Sequence, residues 1–425
     1  MKLEVKKSAL KGKIAIPGSK SHTIRAVAIA SLANGQSRIT NPLISSDTIS
    51  AVKCYRDMGA QIDDSNRLCW DIIGTNGKID ACPRTIDVGN SGTTLRIAAG
   101  SAALAAQDVK INLTGDQQIQ ARPIQPLLDS LNDLGAKAVS DNANQCAPIT
   151  IKGTLAGGKT TIKCITSQYL SSLLMAAPLA EGDTKIEVTL LNEPDYVQIT
   201  LDWLDKQGIQ YENDDFKTFR IPGRQQYKPF EMTIPADFSS ATFFLCAGAI
   251  LDADITLTGL DYTDSQPDKA VADYLRQMGA DIQIEGNKTR IRPKKLHGQT
   301  IDMNKTPDAL PAIAVTACFA EGTTKLVNVA QARNKETDRI KCMTTELKKT
   351  GAAIEELPDG VIIQGCNLAA ADFSGWHDHR IVMALSLAAM ATEGISTIDT
   401  AEAINVTFPD YVELMKSIGA QMKIL

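Results

Sequence analysis

Two patterns of hydrophobic positions take turns along the chain. The first is a run of small apolar residues with a polar start, apolar on nearly every helical face. It occurs six times: SKSHTIRAVAIASLA, NSGTTLRIAAGSAALAA, SQYLSSLLMAAPLA, DFSSATFFLCAGAI, PDALPAIAVTACFA and HDHRIVMALSLAAMA. A helix apolar all round has to lie in the interior of a domain. The second is an amphipathic pattern that stops at a glycine: YRDMGAQI, LNDLGAKA, LDKQGIQY, LRQMGADI, LKKTGAAI and MKSIGAQM. The glycines, Gly59, Gly135, Gly208, Gly279, Gly351 and Gly419, recur at intervals of 68–76 residues. Glycine in that place is a C-cap signal. Alternating stretches such as TKIEVTLL and ADITLTGL predict strands after the buried helices.

The repeating unit is therefore a buried helix, a strand, an amphipathic helix and more strand, six times over. A solenoid of stacked repeats is the simplest arrangement of such units. Long mixed units, each with one wholly apolar helix, argue instead for globular domains. The expected class is α/β, with two domains of three units each. They span residues 17–235 and 236–425, and the N-terminal strand, 1–16, completes the second. KIAIPGSKS (13–21) and EMTIPADFSS (231–240) read as matching crossings: an apolar strand, a proline and a polar helix start.

Composition removes several function classes. The formal net charge of −5 argues against a general nucleic-acid binder. Nine cysteines, Cys54, Cys69, Cys82, Cys146, Cys164, Cys246, Cys318, Cys342 and Cys366, form no C-x-x-C pair. An odd number in mostly apolar segments fits a reduced, cytoplasmic protein without structural zinc. The N-terminal segment has no apolar signal core, and no apolar run reaches membrane-spanning length.

Charged residues gather at the helix starts. At the buried helices stand Lys20, Ser21 and Arg25, then Gly92 and Arg96, then Thr166, Ser167 and Gln168, and later Asp308, Asp378, His379 and Arg380. At the amphipathic helices stand Asp47, Arg122, Tyr196 and the run KETDR (335–339). Ser, Asp and Asn in such places are ordinarily caps. Arginines are not, because the helix dipole disfavours cations at an N-terminus. Arg25, Arg96, Arg122, Arg339 and Arg380 therefore point to an anionic guest, which guanidinium groups grip with paired hydrogen bonds. Helix starts facing one cleft would make it positive within an acidic protein. Asp308, Glu336 and His379 are the acid/base candidates among these cations, with Lys335 and Glu336 diverging on a helix.

The motifs PGSKS (17–21), GNSGTTLR (89–96), ARP (121–123), SQYL (167–170), PDA (307–309), KETDR (335–339), DHR (378–380) and TFPDY (407–411) run in this order over the whole length. In them the chain closely resembles the EPSP synthase family of enolpyruvyl transferases. The resemblance implies a two-domain inside-out α/β barrel of six βαβαββ repeats that closes over its substrates. It implies transfer of the enolpyruvyl group of phosphoenolpyruvate to the 5-hydroxyl of shikimate 3-phosphate, by a monomer with no metal or organic cofactor. Nucleic acid and membrane are not implied as partners. By position, Lys20, Ser21, Arg25, Thr166, Ser167, Gln168, Tyr196, Asp308, Gln331 and Lys335 would hold shikimate 3-phosphate. Lys20, Gly92, Arg122, Gln168, Arg339 and Arg380 would hold phosphoenolpyruvate. Asp308 would accept the hydroxyl proton, and Glu336, with Lys20 competing, would exchange the proton at C3.

The chain departs from the family pattern in two places. Val406 stands where a lysine is usual before TFPDY, and Glu193 in NEPDYVQIT (192–200) replaces a cation. The sister enzymes acting on UDP-N-acetylglucosamine usually carry a cysteine in the loop before their Arg-Pro. Here the loop reads TGDQQIQARP, without one. A catalytically dead anion binder is the remaining rival; intact Lys20, Asp308, Glu336 and Arg339 oppose it.

Overall fold

The computed structural model describes residues 1–79 and 85–425. Cys82 lies outside the described residues; the other eight cysteines are free thiols, six of them buried. The chain divides into two compact units, Gly18–Ile234 and the discontinuous Met1–Pro17 with Pro235–Leu425. Each has its own hydrophobic core.

The fold is mixed α/β. Among the described residues there are six four-stranded sheets, three in each unit, and one two-stranded sheet. Every four-stranded sheet repeats one plan: a parallel pair at one side, then two antiparallel neighbours. In one, Glu231–Thr233 runs parallel to Gln36–Thr40, which pairs antiparallel with Cys69–Ile73, which pairs antiparallel with Gln61–Asp63. The alternation fixes the register: Ile39 lies opposite Trp70, and both are wholly buried on the inner face. The N-terminal strand Leu3–Lys6 lies between Ile395–Ile398 and Gln421–Ile424. The next, Ala9–Ala15, runs parallel to Asp252–Thr258.

The six apolar segments form the helices Lys20–Leu32, Gly92–Ala102, Ser167–Ala176, Phe238–Ile250, Leu310–Cys318 and His379–Ala391, all buried along almost their whole length. Small residues let them lie close to the strands. A Cβ on Gly248 would sit 2.3 Å from Cγ2 of Ile291, so an alanine there would force the Ile291 side chain to shift. The amphipathic segments turn one apolar face inward, as Leu127, Leu128 and Leu131 do in Gln125–Asp133. Each such buried leucine contributes about 1.5–3 kcal/mol. Gly208 ends Pro194–Gln207 at φ 70°, ψ 23°, a left-handed cap that a side chain would strain.

Candidate active site

The starts of the buried helices carry most of the residues singled out above. In the unit Gly18–Ile234, Lys20 opens its helix after Ser19, and its Nζ lies 3.2 Å from Oδ2 of the buried Asp47. Arg25 sits in the second turn, not at the terminus, because the helix begins at Lys20. Its guanidinium is almost fully buried. It donates to Thr200 Oγ1 at 2.9 Å, the Ser21 carbonyl at 3.1 Å, the Tyr196 carbonyl at 3.1 Å and Ser171 Oγ at 3.3 Å. All four acceptors are uncharged. Burial lowers the Arg25 pKa to about 10, against a smaller opposing effect of Tyr196. A buried cation among neutral oxygens is a costly arrangement that an anion would relieve.

Gly92 begins the next helix. Its missing side chain makes room for two guanidinium groups: a Cβ would lie 2.6 Å from Arg96 Nη1 and 2.7 Å from Arg122 Nη1. Arg96 is a framework residue, donating to the carbonyls of Gly92 and Pro123 at 3.2 and 3.1 Å. Arg122 follows a short 3-10 turn, Ile119–Ala121, and precedes the helix Gln125–Asp133 by three residues, so it stands on a connection and not on a helix start. Thr166 caps the third helix by accepting from the Gln168 N–H. Gln168 Nε2 donates to Thr93 Oγ1 at 3.1 Å and ties the second helix start to the third.

In the other unit one guanidinium organises the cluster. Arg339 is 1% exposed and donates to Asp378 Oδ2 at 2.8 Å, Asp308 Oδ1 at 2.7 Å and Glu336 Oε2 at 2.5 Å. Burial works to lower its pKa, but the carboxylates of Asp378, Glu336 and Asp308 outweigh it and hold the group above its ordinary value. Asp378 in turn caps His379–Ala391 by accepting from the Arg380 N–H at 2.8 Å. Asp308 also faces Arg380 Nη2 at 3.1 Å and Lys335 Nζ at 3.7 Å, so three cations surround one carboxylate. Arg380 Nη2 donates to Ser239 Oγ at 2.7 Å. Gln331 is buried nearby in sequence and donates to the Asn304 carbonyl at 3.0 Å. His379 lies buried in the first turn of its helix, its Nδ1 3.9 Å from Asp378 Oδ1.

The expectation that Lys335 and Glu336 diverge on a helix is corrected. The helix starts only at Arg339, capped by Asp338, whose side chain accepts from the Lys341 N–H. Lys335 and Glu336 stand in the bend before it. Both reach the same cluster, Lys335 toward Asp308 and Glu336 toward Arg339.

Sequence reasoning passed over Thr200 and Ser171, which hold Arg25, and it found Asp47, Ser239 and Asp378 at helix starts without the partners they hold, Lys20, Arg380 and Arg339. Thr200 and Ser171 gave no signal, because both lie inside helices and not at their starts. Among the described residues no group of three or more His, Cys, Asp or Glu is placed to hold a metal ion, and no helix is long and apolar enough to cross a membrane.

Arg122 supplies a test of the anion site. Arg122→Lys keeps the charge and loses the planar fork beside Gly92. The Michaelis constant for an anionic substrate at this site should rise about tenfold, because a point charge cannot make the paired contact. Steady-state kinetics with phosphoenolpyruvate, the anion that the resemblance implies, check this; an unchanged constant would mean that Arg122 points elsewhere.

Comparison with known proteins shows the family of the chain. The family model for EPSP synthase (3-phosphoshikimate 1-carboxyvinyltransferase) matches residues 5–415. A 3-phosphoshikimate 1-carboxyvinyltransferase of Ruminiclostridium cellulolyticum is 52% identical over the full length of both chains. One from Methanococcus aeolicus is 42% identical over 99% of each. Among solved structures, an EPSP synthase from Acinetobacter baumannii superposes with a TM-score of 0.83 at 27% identity, covering 99% of both chains. With the family model spanning nearly every residue and full-length relatives this similar, the chain belongs to the EPSP synthase (3-phosphoshikimate 1-carboxyvinyltransferase) family.

Proposed function

We propose that this chain transfers the enolpyruvyl group of phosphoenolpyruvate to the 5-hydroxyl of shikimate 3-phosphate, releasing phosphate and giving 5-enolpyruvylshikimate 3-phosphate in the shikimate pathway. The observation that carries this is the 52% identity to a 3-phosphoshikimate 1-carboxyvinyltransferase over the whole chain. The two clusters of buried cations support it, because both substrates are polyanions.

In this reading Lys20, Ser21, Arg25, Thr166, Ser167, Gln168 and Tyr196 take up shikimate 3-phosphate in the unit Gly18–Ile234. Asp308, Gln331 and Lys335 do so in the other. Lys20, Gly92, Arg122 and Gln168, with Arg339 and Arg380, take up phosphoenolpyruvate. The hydroxyl oxygen adds to C2 of phosphoenolpyruvate while C3 gains a proton. The resulting tetrahedral intermediate then loses phosphate while C3 gives a proton back. Asp308 accepts the hydroxyl proton; Glu336 or Lys20 delivers and recovers the proton at C3. The arginines stabilise charge on the departing phosphate. Each unit is read as an inside-out barrel, its three sheets around its three buried helices, and the enzyme as a cytoplasmic monomer that uses no cofactor.

A coupled assay of phosphate release tests the reading. Phosphate should appear only when both substrates are present, and not when UDP-N-acetylglucosamine replaces shikimate 3-phosphate. No release with the two proposed substrates together would overturn it.

Val406 bears on the same assay. It closes the short 3-10 helix Ala401–Val406 and is half-buried. Val406→Lys restores a cation at the position where the family usually has one. A charge-assisted hydrogen bond contributes about 1.5–3 kcal/mol, so the Michaelis constant for phosphoenolpyruvate should fall by about one to two decades. A constant no lower than the parent's would show that another cation already serves.

A further inference from the structure

The third buried helix of the unit Gly18–Ile234 begins with more than its own cap. Thr166 accepts from the Gln168 N–H, as a cap does. Yet a second acceptor is aimed at the same place from 26 residues away. Oε2 of Glu193 accepts from Ser167 Oγ at 2.8 Å, from the Ser167 N–H at 3.3 Å and from Thr166 Oγ1 at 3.4 Å. Glu193 is 2% exposed. Three converging donors at the positive end of a ten-residue helix make a cradle for an anion, and a carboxylate of the chain lies in it.

The backbone forces that aim. Glu193 is left-handed, at φ 59° and ψ 49°, a conformation unfavourable for a residue with a Cβ and seldom kept without a reason. It is fixed on both sides. Asn192 donates from its N–H to the Cys164 carbonyl at 3.1 Å and from Nδ2 to the Ile165 carbonyl at 3.2 Å. Pro194 follows and opens the next helix. The usual cation of the family at this position is thus replaced by the opposite charge, directed at donors otherwise suited to a phosphate.

We infer that Glu193 is an internal competitor for the phosphate of the substrate, and so a determinant of substrate specificity. This rests on the reading that Thr166 and Ser167 take up shikimate 3-phosphate. Two anions cannot share three donors, so substrate binds only as the carboxylate is displaced. The apparent dissociation constant is then the intrinsic one divided by the fraction of molecules whose donors are available. A dianionic phosphate, with three acceptor oxygens, can displace a carboxylate from such a cradle, whereas a hydroxyl cannot. Glu193 therefore lowers affinity for shikimate 3-phosphate while excluding its unphosphorylated form, shikimate.

The test is calorimetric titration of shikimate 3-phosphate into the parent, Glu193→Gln and Glu193→Gly, beside phosphate-release kinetics. Glutamine keeps the size and an acceptor for the Ser167 N–H and removes the charge. Glycine removes the side chain and adopts the left-handed backbone freely, so its folding is not at risk from that strain. In both variants the dissociation constant of shikimate 3-phosphate should fall about tenfold, with a change at least fivefold larger than any in the Michaelis constant for phosphoenolpyruvate. Unchanged or weaker binding in both, with a parent that turns over, overturns the competitor and leaves the proposed reaction standing. Tighter binding in both, with a parent that releases no phosphate, supports the competitor and overturns the reaction. No binding to any of the three proteins overturns both.

Discussion

Replacing Asp308 by asparagine is expected to lower turnover by about 10²–10⁴-fold, the contribution of a positioned proton acceptor, while shikimate 3-phosphate still binds. The asparagine cannot be silent in the cluster. Oδ1 of Asp308 meets Arg339 and Lys335, and Oδ2 meets Arg380. An amide has one oxygen, so one side of the cluster loses its acceptor. The loss of a negative charge also leaves Lys335 and Arg380 less neutralised, which favours anionic ligands. Michaelis constants for both substrates should therefore stay level or fall while kcat collapses. Turnover near that of the parent would remove Asp308 from the chemistry.

The second large effect falls on stability. Arg339→Met keeps much of the side-chain volume and removes the charge. Asp378, with no solvent exposure, then loses its cation, and Glu336 and Asp308 lose theirs in part. Breaking a buried ion pair from one side costs about 3–5 kcal/mol, because the remaining charge stays in the interior. The cap of His379–Ala391 depends on the same Asp378 side chain, so that helix start should loosen with it. Urea unfolding followed by circular dichroism should show the midpoint of the variant well below that of the parent. Arg339→Lys, which keeps one charged donor in place of a fork, should lie between the two. Equal midpoints for Arg339→Met and the parent would show that the carboxylates are satisfied elsewhere.

The repeat was legible because it is local. A glycine such as Gly208 ends a helix through its own backbone, and an alanine-rich run is apolar whatever its partner. Six sheets of one plan are the counterpart of six turns of that pattern. Helix starts are less legible. KETDR looks helical throughout, but Asp338 competes for the cap and delays the helix to Arg339. Arg25 and Arg96 act from the second turn, where side chains reach back along the helix toward its start. The supporting contacts were invisible because the partners are distant: Ser239 and Arg380 are 141 residues apart, and Thr200 and Arg25 are 175 apart. Glu193 could be recognised as a departure, but its target could not, since a left-handed residue turns the side chain where no periodicity predicts.

The place of the strand Leu3–Lys6 bears on how the chain is made. Its two sheet neighbours are Ile395–Ile398 and Gln421–Ile424, and Ala9–Ala15 waits for Asp252–Thr258. During synthesis the first strands emerge long before anything exists for them to pair with. At about 5–20 residues per second the ribosome needs roughly 10–50 s to reach the partner of Ala9–Ala15, and longer for those of Leu3–Lys6. Leu3 and Val5, wholly buried in the finished protein, spend that interval uncovered. Gly18–Ile234 has all its strands to hand and can fold meanwhile. The nascent chain therefore carries a folded unit with a sticky, unpaired leader, and the step most open to chaperones is the late capture of that leader.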